Sequence, residues 1–159
     1  MKHASLSRRA LALGALGMAT LSARAAAASE HELRVWRDAG CGCCRGWVER
    51  MRQSGQFRAT MTDEADMPAL KRRLGVPDDL FSCHTALVEG FVIEGHVPVA
   101  DIQRLLFERP AGIRGLAVPG MPIGSPGMEG PNMGREAFDV VALHTNARRD
   151  VFARYPARE

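Results

Sequence analysis

Apolar and polar residues alternate over Leu33-Arg34-Val35-Trp36-Arg37, the period of a strand with one buried face. The spacing then lengthens. Trp47, Val48 and Met51 fall on one face of a helix predicted from Arg45 to Gln53. Phe57 to Met61 predicts a second strand. Asp63 or Asp66 can cap the next helix, which runs to Leu74 and is stopped by Gly75 and Pro77. Thr85 to Val88 and Phe91 to Glu94 are β-prone runs joined by Glu89-Gly90, which predicts an antiparallel hairpin. Pro98 opens a further helix at its first turn, with Ile102, Leu105 and Leu106 facing inward. From Pro110 to Gly134 the chain is rich in Gly, Pro and Met with little periodicity, the mark of a long loop that is either functional or disordered. Phe138 to His144 reads as the last strand, ahead of a polar tail.

The N-terminal pattern is of another kind. Lys2, Arg8 and Arg9 precede an uncharged apolar run from Ala10 to Leu21, and Ala23-Arg24-Ala25 or Ala26-Ala27-Ala28 offers small residues for cleavage. Residues 1–28 are therefore expected to be an export signal, leaving residues 29–159 as a single periplasmic domain of bacterial type. Ser7-Arg8-Arg9-Ala10-Leu11 also resembles a twin-arginine signal, the route for proteins exported already folded. The apolar run is short for a bilayer, and no later segment approaches about 18 uninterrupted apolar residues, so no membrane span is expected after signal removal. The net charge of +3 from 21 basic and 18 acidic residues belongs mostly to this signal, which carries four basic residues and no acidic one. Its removal leaves a slightly acidic domain with no basic surface to suggest a nucleic-acid partner.

Four cysteines then change the picture: Cys41-Gly42-Cys43-Cys44, and Cys83 followed at once by His84. An exported domain with four cysteines allows three disulfide pairings and hence a disulfide-stabilised interaction module. Adjacent Cys43 and Cys44 pair poorly with each other, however, and a Cys41–Cys44 bridge closes a loop too small to add much stability. The order strand, thiol turn, helix, strand, helix, hairpin, helix resembles thioredoxin-like proteins, a mixed sheet flanked by helices. In that fold the thiols sit at the first helix N-terminus, whose free N–H groups and dipole lower their pKa. The resemblance implies that Ser82-Cys83-His84-Thr85 occupies the loop that normally carries a cis-proline, here missing, so that Cys83 and His84 face Cys41, Cys43 and Cys44.

Two chemistries compete for such a site. A thiol–disulfide oxidoreductase needs one attacking and one resolving thiol, which Cys41 and Cys44 supply at Cys-x-x-Cys spacing; two further thiols would invite scrambling. Four thiolates are otherwise a soft cage for Cu(I), zinc or an iron–sulfur cluster. The second Cys-x-x-Cys pair usual for structural zinc is absent, and bridging thiolates would let four sulfurs hold more than one Cu(I). Met121 and Met128 add thioethers, ligands that suit Cu(I), on the Gly/Pro-shaped loop. Met51, Met61 and Met67 are expected to pack in the core. His84 is a candidate ligand or a donor to a ligand. His96 is expected to cap or hydrogen-bond locally, His31 and His144 to be solvated, and Glu94 and Glu129 to be surface charges.

Four blocks, Ala39 to Cys44, Ser82 to Ala86, Ile93 to Pro98 and Gly115 to Pro122, resemble the CopG-type family of exported copper-resistance proteins. The resemblance runs from about Leu33 to Tyr155. It implies a thioredoxin-like domain that binds copper through Cys41, Cys43, Cys44 and Cys83. It also implies a part in periplasmic copper handling alongside other periplasmic copper proteins, with Cu(I)/Cu(II) cycling as an activity beyond binding.

Overall fold

The computed structural model describes residues 30–159. The expected export signal and its cleavage site lie outside them. The fold is thioredoxin-like α/β: strands β1 (His31–Arg37), β2 (Phe57–Asp63), β3 (His84–Val88), β4 (Phe91–Glu94), β5 (Ile113–Ala117), β6 (Phe138–His144) and β7 (Arg149–Tyr155), with helices α1 (Gly42–Gln53), α2 (Met67–Arg73) and α3 (Val99–Glu108). The seven strands form one mixed sheet in the order β2-β1-β3-β4-β5-β6-β7. β1 pairs parallel with β2 and antiparallel with β3, so the thiol turn after β1 and the Cys83 loop before β3 emerge at the same sheet end.

Alternation along the strands divides the core between the sheet's two faces. Leu33 and Val35 on β1, Ala86 and Val88 on β3, and Ile93 and Leu116 pack with Trp47, Val48 and Met51 of α1 and Ile102 and Leu105 of α3. Val76 and Leu80 pack with Val92, Ala117 and Leu143 in a second cluster. Met51 and Met67 are buried and Met61 packs against the first cluster, as expected of gap-filling side chains. Asp66 caps α2 by accepting from the Ala69 N–H at 2.9 Å. Glu89 and Gly90 both adopt positive φ, the conformation of the tight hairpin turn anticipated between β3 and β4.

Two expectations for the C-terminal half need correction. The Gly/Pro/Met-rich stretch is not structureless throughout, because β5 lies within it and pairs with both β4 and β6. Gly115 hid this strand: a Cβ there would collide with the Val92 carbonyl, so only glycine admits the close approach. Nor is Phe138–His144 the last strand. The polar tail forms β7 at the sheet edge, where Tyr155 stacks on Phe138 at 4.7 Å between ring centres. Among the described residues no helix is long and apolar enough to cross a membrane.

Candidate metal centre

The thiol turn begins where β1 ends. The Cys41 N–H donates to the Asp38 carbonyl at 3.0 Å, and the Arg37 guanidinium donates to the Cys41 carbonyl at 2.7 Å. Cys41 is the N-cap of α1, its sulfur accepting from the Cys44 N–H at 3.3 Å. Cys41 and Cys44 are joined as a disulfide; Cys43 and Cys83 are free. The bridge set aside on grounds of loop size is therefore present, and its geometry follows from the helix turn, which brings residues three apart onto one side.

Cys43 is the point of convergence. Its Sγ lies 3.5 Å from Cys41 Sγ, 3.6 Å from Cys83 Sγ and 3.8 Å from Met121 Sδ. Sulfurs that share a soft cation at ~2.3 Å stand about 4 Å apart in a trigonal array, so sulfurs already in contact at this spacing could take up one metal with little movement. Burial, followed by the neighbouring Cys43 sulfur, pushes the Cys83 thiol up to about 12. A cation in the site would reverse that preference, since a coordinated thiol is held as thiolate. The four cysteines, and separately Cys83, His84 and His96, form groups whose ligand atoms lie within 4.8 Å of one another.

Both imidazoles turn toward Cys83. His84 Nδ1 is 3.3 Å from its sulfur and His96 Nε2 is 3.1 Å away. The Pro126 carbonyl can only accept, so His96 donates from Nδ1 at 2.8 Å and presents a bare Nε2 lone pair to the thiol. Burial lowers the pKa of His96, and that of His84 far more, which keeps both rings neutral and fit to ligate. His84 packs at a tilt against Trp47, 4.5 Å between ring centres, and leaves its Nε2 buried without a partner.

The Met-bearing loop folds back over α1. Gly127, at φ +87°, lies so close that a Cβ would come within 2.5 Å of the Trp47 N and 3.0 Å of the Cys43 carbonyl. Met121 thereby reaches Cys43 while remaining half exposed. Met128 instead closes a turn through its N–H to the Ser125 carbonyl at 2.8 Å; of the two methionines, Met121 touches a thiol. Glu129 is a loop residue paired with Arg50 at 3.4 Å, as a surface charge would be.

Sequence reasoning missed two residues. His96 was expected to cap or hydrogen-bond locally; instead its Nδ1 donates to the Pro126 carbonyl thirty positions on, and its Nε2 reaches Cys83 where Gly95, at φ +69°, turns the chain back. The only sequence signal was its place in one of the four resembling blocks. Glu94 was expected at the surface but is fully buried, its carboxylate 2.6 Å from the Lys71 ammonium. The ends of β3 and β4 lie beneath α2, so the charge needs a partner there. His144 is also more covered than expected, facing Asp150 at 3.0 Å.

The fold and site together define a thioredoxin-like protein in which the proline platform has given way to a sulfur and imidazole cluster. The family described as "Protein of unknown function, DUF411" matches residues 80–128. Two solved forms of a protein titled "Copper resistance protein copG" are each 46% identical to the chain at a TM-score of 0.75, covering 80% of it and 99% and 100% of their own lengths. The chain belongs to this CopG copper-resistance family. No curated protein matches it at a significant level.

Proposed function

We propose that the chain is an exported copper-binding protein, with residues 1–28 as its signal and residues 29–159 as a periplasmic domain. In its reduced form it holds one or more Cu(I) ions on Cys41, Cys43, Cys44 and Cys83. Met121 and the imidazoles of His96 and His84 complete the coordination, and Met128 stands by on the loop above. The observation that carries this reading is the convergence of three other sulfurs, one a thioether, on Cys43 Sγ within 3.8 Å. Thiolate with imidazole would serve zinc as well as copper, and it is the Met121 thioether beside them that favours Cu(I).

Loading all four sulfurs requires the Cys41–Cys44 disulfide to be reduced by two electrons, with two protons taken up. In reverse, two Cu(II) ions oxidise the dithiol to the disulfide, becoming two Cu(I) as two protons leave. The site so described binds, delivers and interconverts copper states for copper resistance. The test is copper content after reduction under copper-supplemented, oxygen-free conditions, beside Cys83→Ser. Stoichiometric Cu(I), reduced in the variant, supports the reading; unchanged stoichiometry in the variant contradicts it.

A second reading rests on the disulfide at the α1 N-terminus, the arrangement of a thiol–disulfide oxidoreductase. Reduction of insulin disulfides by metal-free protein would establish it, and its absence would remove it.

A further inference from the structure

Glu94 does more than neutralise Lys71. Its Oε1 accepts the Ser82 N–H at 2.6 Å as well as the Lys71 Nζ at 2.6 Å. Its Oε2 accepts the Thr85 hydroxyl at 2.6 Å, and that same hydroxyl accepts from Lys71 Nζ at 2.9 Å. One carboxylate thus grips the chain on both sides of Cys83 and His84. Ser82 in turn pairs with Gly120, to whose carbonyl its hydroxyl donates, and the Gly120 N–H donates to the Phe81 carbonyl at 3.2 Å. Gly120 directly precedes Met121. On the other side of Glu94, Gly95 donates to the His84 carbonyl at 2.9 Å and leads to His96. The loop segments carrying Cys83, Met121 and His96 all meet at this clamp.

In thioredoxin-like folds a proline ring stiffens this loop; here no cis peptide bond occurs among the described residues. We propose that the buried Lys71–Glu94 pair replaces that ring as the positioning device of the site, holding Cys83 and the Met121 segment in place against Cys43. Resting on the reading of this site as a copper site, the proposal treats Glu94 and Lys71 as positioning residues that touch no metal. A buried carboxylate must fill its remaining lone pairs with hydrogen bonds, and Glu94 draws them from Ser82 and Thr85, the residues that flank Cys83 and His84. Those two bonds are what aim the loop.

The test separates placement from folding and from copper. In a Cys41→Ser/Cys44→Ser background, mild oxidation with diamide joins Cys43 to Cys83, whose sulfurs already lie 3.6 Å apart. Lys71→Met with Glu94→Leu removes both charges together and should leave the protein folded by circular dichroism. Cross-linking is expected to slow at least tenfold, and Cu(I) affinity in the four-cysteine protein to fall about tenfold. Lys71→Met with Glu94→Gln keeps an acceptor for Ser82 and should restore both. Wild-type cross-linking in the folded leucine variant overturns the proposal. Should that variant not fold, Thr85→Val removes one grip at constant volume, and an unchanged cross-linking rate there overturns the proposal equally. If the natural protein binds no copper yet cross-linking still slows, the copper reading fails and the clamp stands. If copper binds and cross-linking is unaffected, the reverse holds.

Discussion

Gly127→Ala is expected to unseat the Met-bearing loop from α1 and weaken the site without touching any ligand. The added Cβ meets the Trp47 N at 2.5 Å and the Cys43 carbonyl at 3.0 Å, both backbone atoms of α1 that cannot rotate away. Holding alanine at φ +87° costs about 1–2 kcal/mol, and forcing a methyl into packed backbone about 1–3 kcal/mol more. Part of this is relieved if the loop lifts, breaking the His96 to Pro126 hydrogen bond next door and drawing Met121 from Cys43. The net loss is about 2–4 kcal/mol, which in a domain of this size lowers Tm by roughly 10 °C. Thermal melts of reduced, metal-free protein measure the first effect. Competition with a Cu(I) chelator measures the second, expected as a roughly tenfold loss of affinity. An unchanged Tm would mean that the loop does not rest on α1.

Three further outcomes follow from the same geometry. Glu94→Leu alone strands the Lys71 ammonium in the interior and should cost about 3–5 kcal/mol in urea unfolding, whereas adding Lys71→Met should recover the greater part of it. Tyr155→Phe removes a hydrogen bond to the buried Asp101 carboxylate, 2.6 Å away, and should cost about 1 kcal/mol at neutral pH. Burial, then Asp101, raises the Tyr155 pKa. The contribution is therefore fully present below the unfolded value of about 10 and is lost as pH rises through the higher folded value. The wild-type advantage over the variant should shrink in alkaline melts, and a constant difference would count against it. Finally, protein oxidised at Cys41–Cys44 should take up less Cu(I) than the same protein after reduction, by equilibrium dialysis; equal uptake would show that Cys41 and Cys44 are not ligands.

How far the sequence speaks for the structure depends on whether a signal is local. Strand β1, helix α1 and the Glu89-Gly90 hairpin were legible because each writes its own period or turn chemistry into consecutive residues. The meeting of Cys83 with Cys43 was legible only through the resemblance to the thioredoxin order, since forty positions separate them. Strand β5 was obscured by Gly115, whose missing side chain is itself the condition for pairing with β4. β7 was obscured because Val151, Phe152 and Ala153 run together between Arg149, Asp150 and Arg154 and so do not alternate with the period of a half-buried strand. The Lys71–Glu94 pair left no mark at all: each residue alone reads as a surface charge, and only the packing of α2 over β3 and β4 joins them. His96 was misread because both of its partners, the Pro126 carbonyl and the Cys83 sulfur, are distant in sequence, whereas a local cap was expected.

The central claim is that sulfur from both loops binds the same copper. X-ray absorption at the copper edge, on reduced protein loaded with Cu(I), tests it most directly in the natural sequence beside Cys83→Ser. Coordination by both loops gives a sulfur-dominated shell that loses sulfur in the variant. A shell of nitrogen and oxygen alone, or one identical in both proteins, would contradict it.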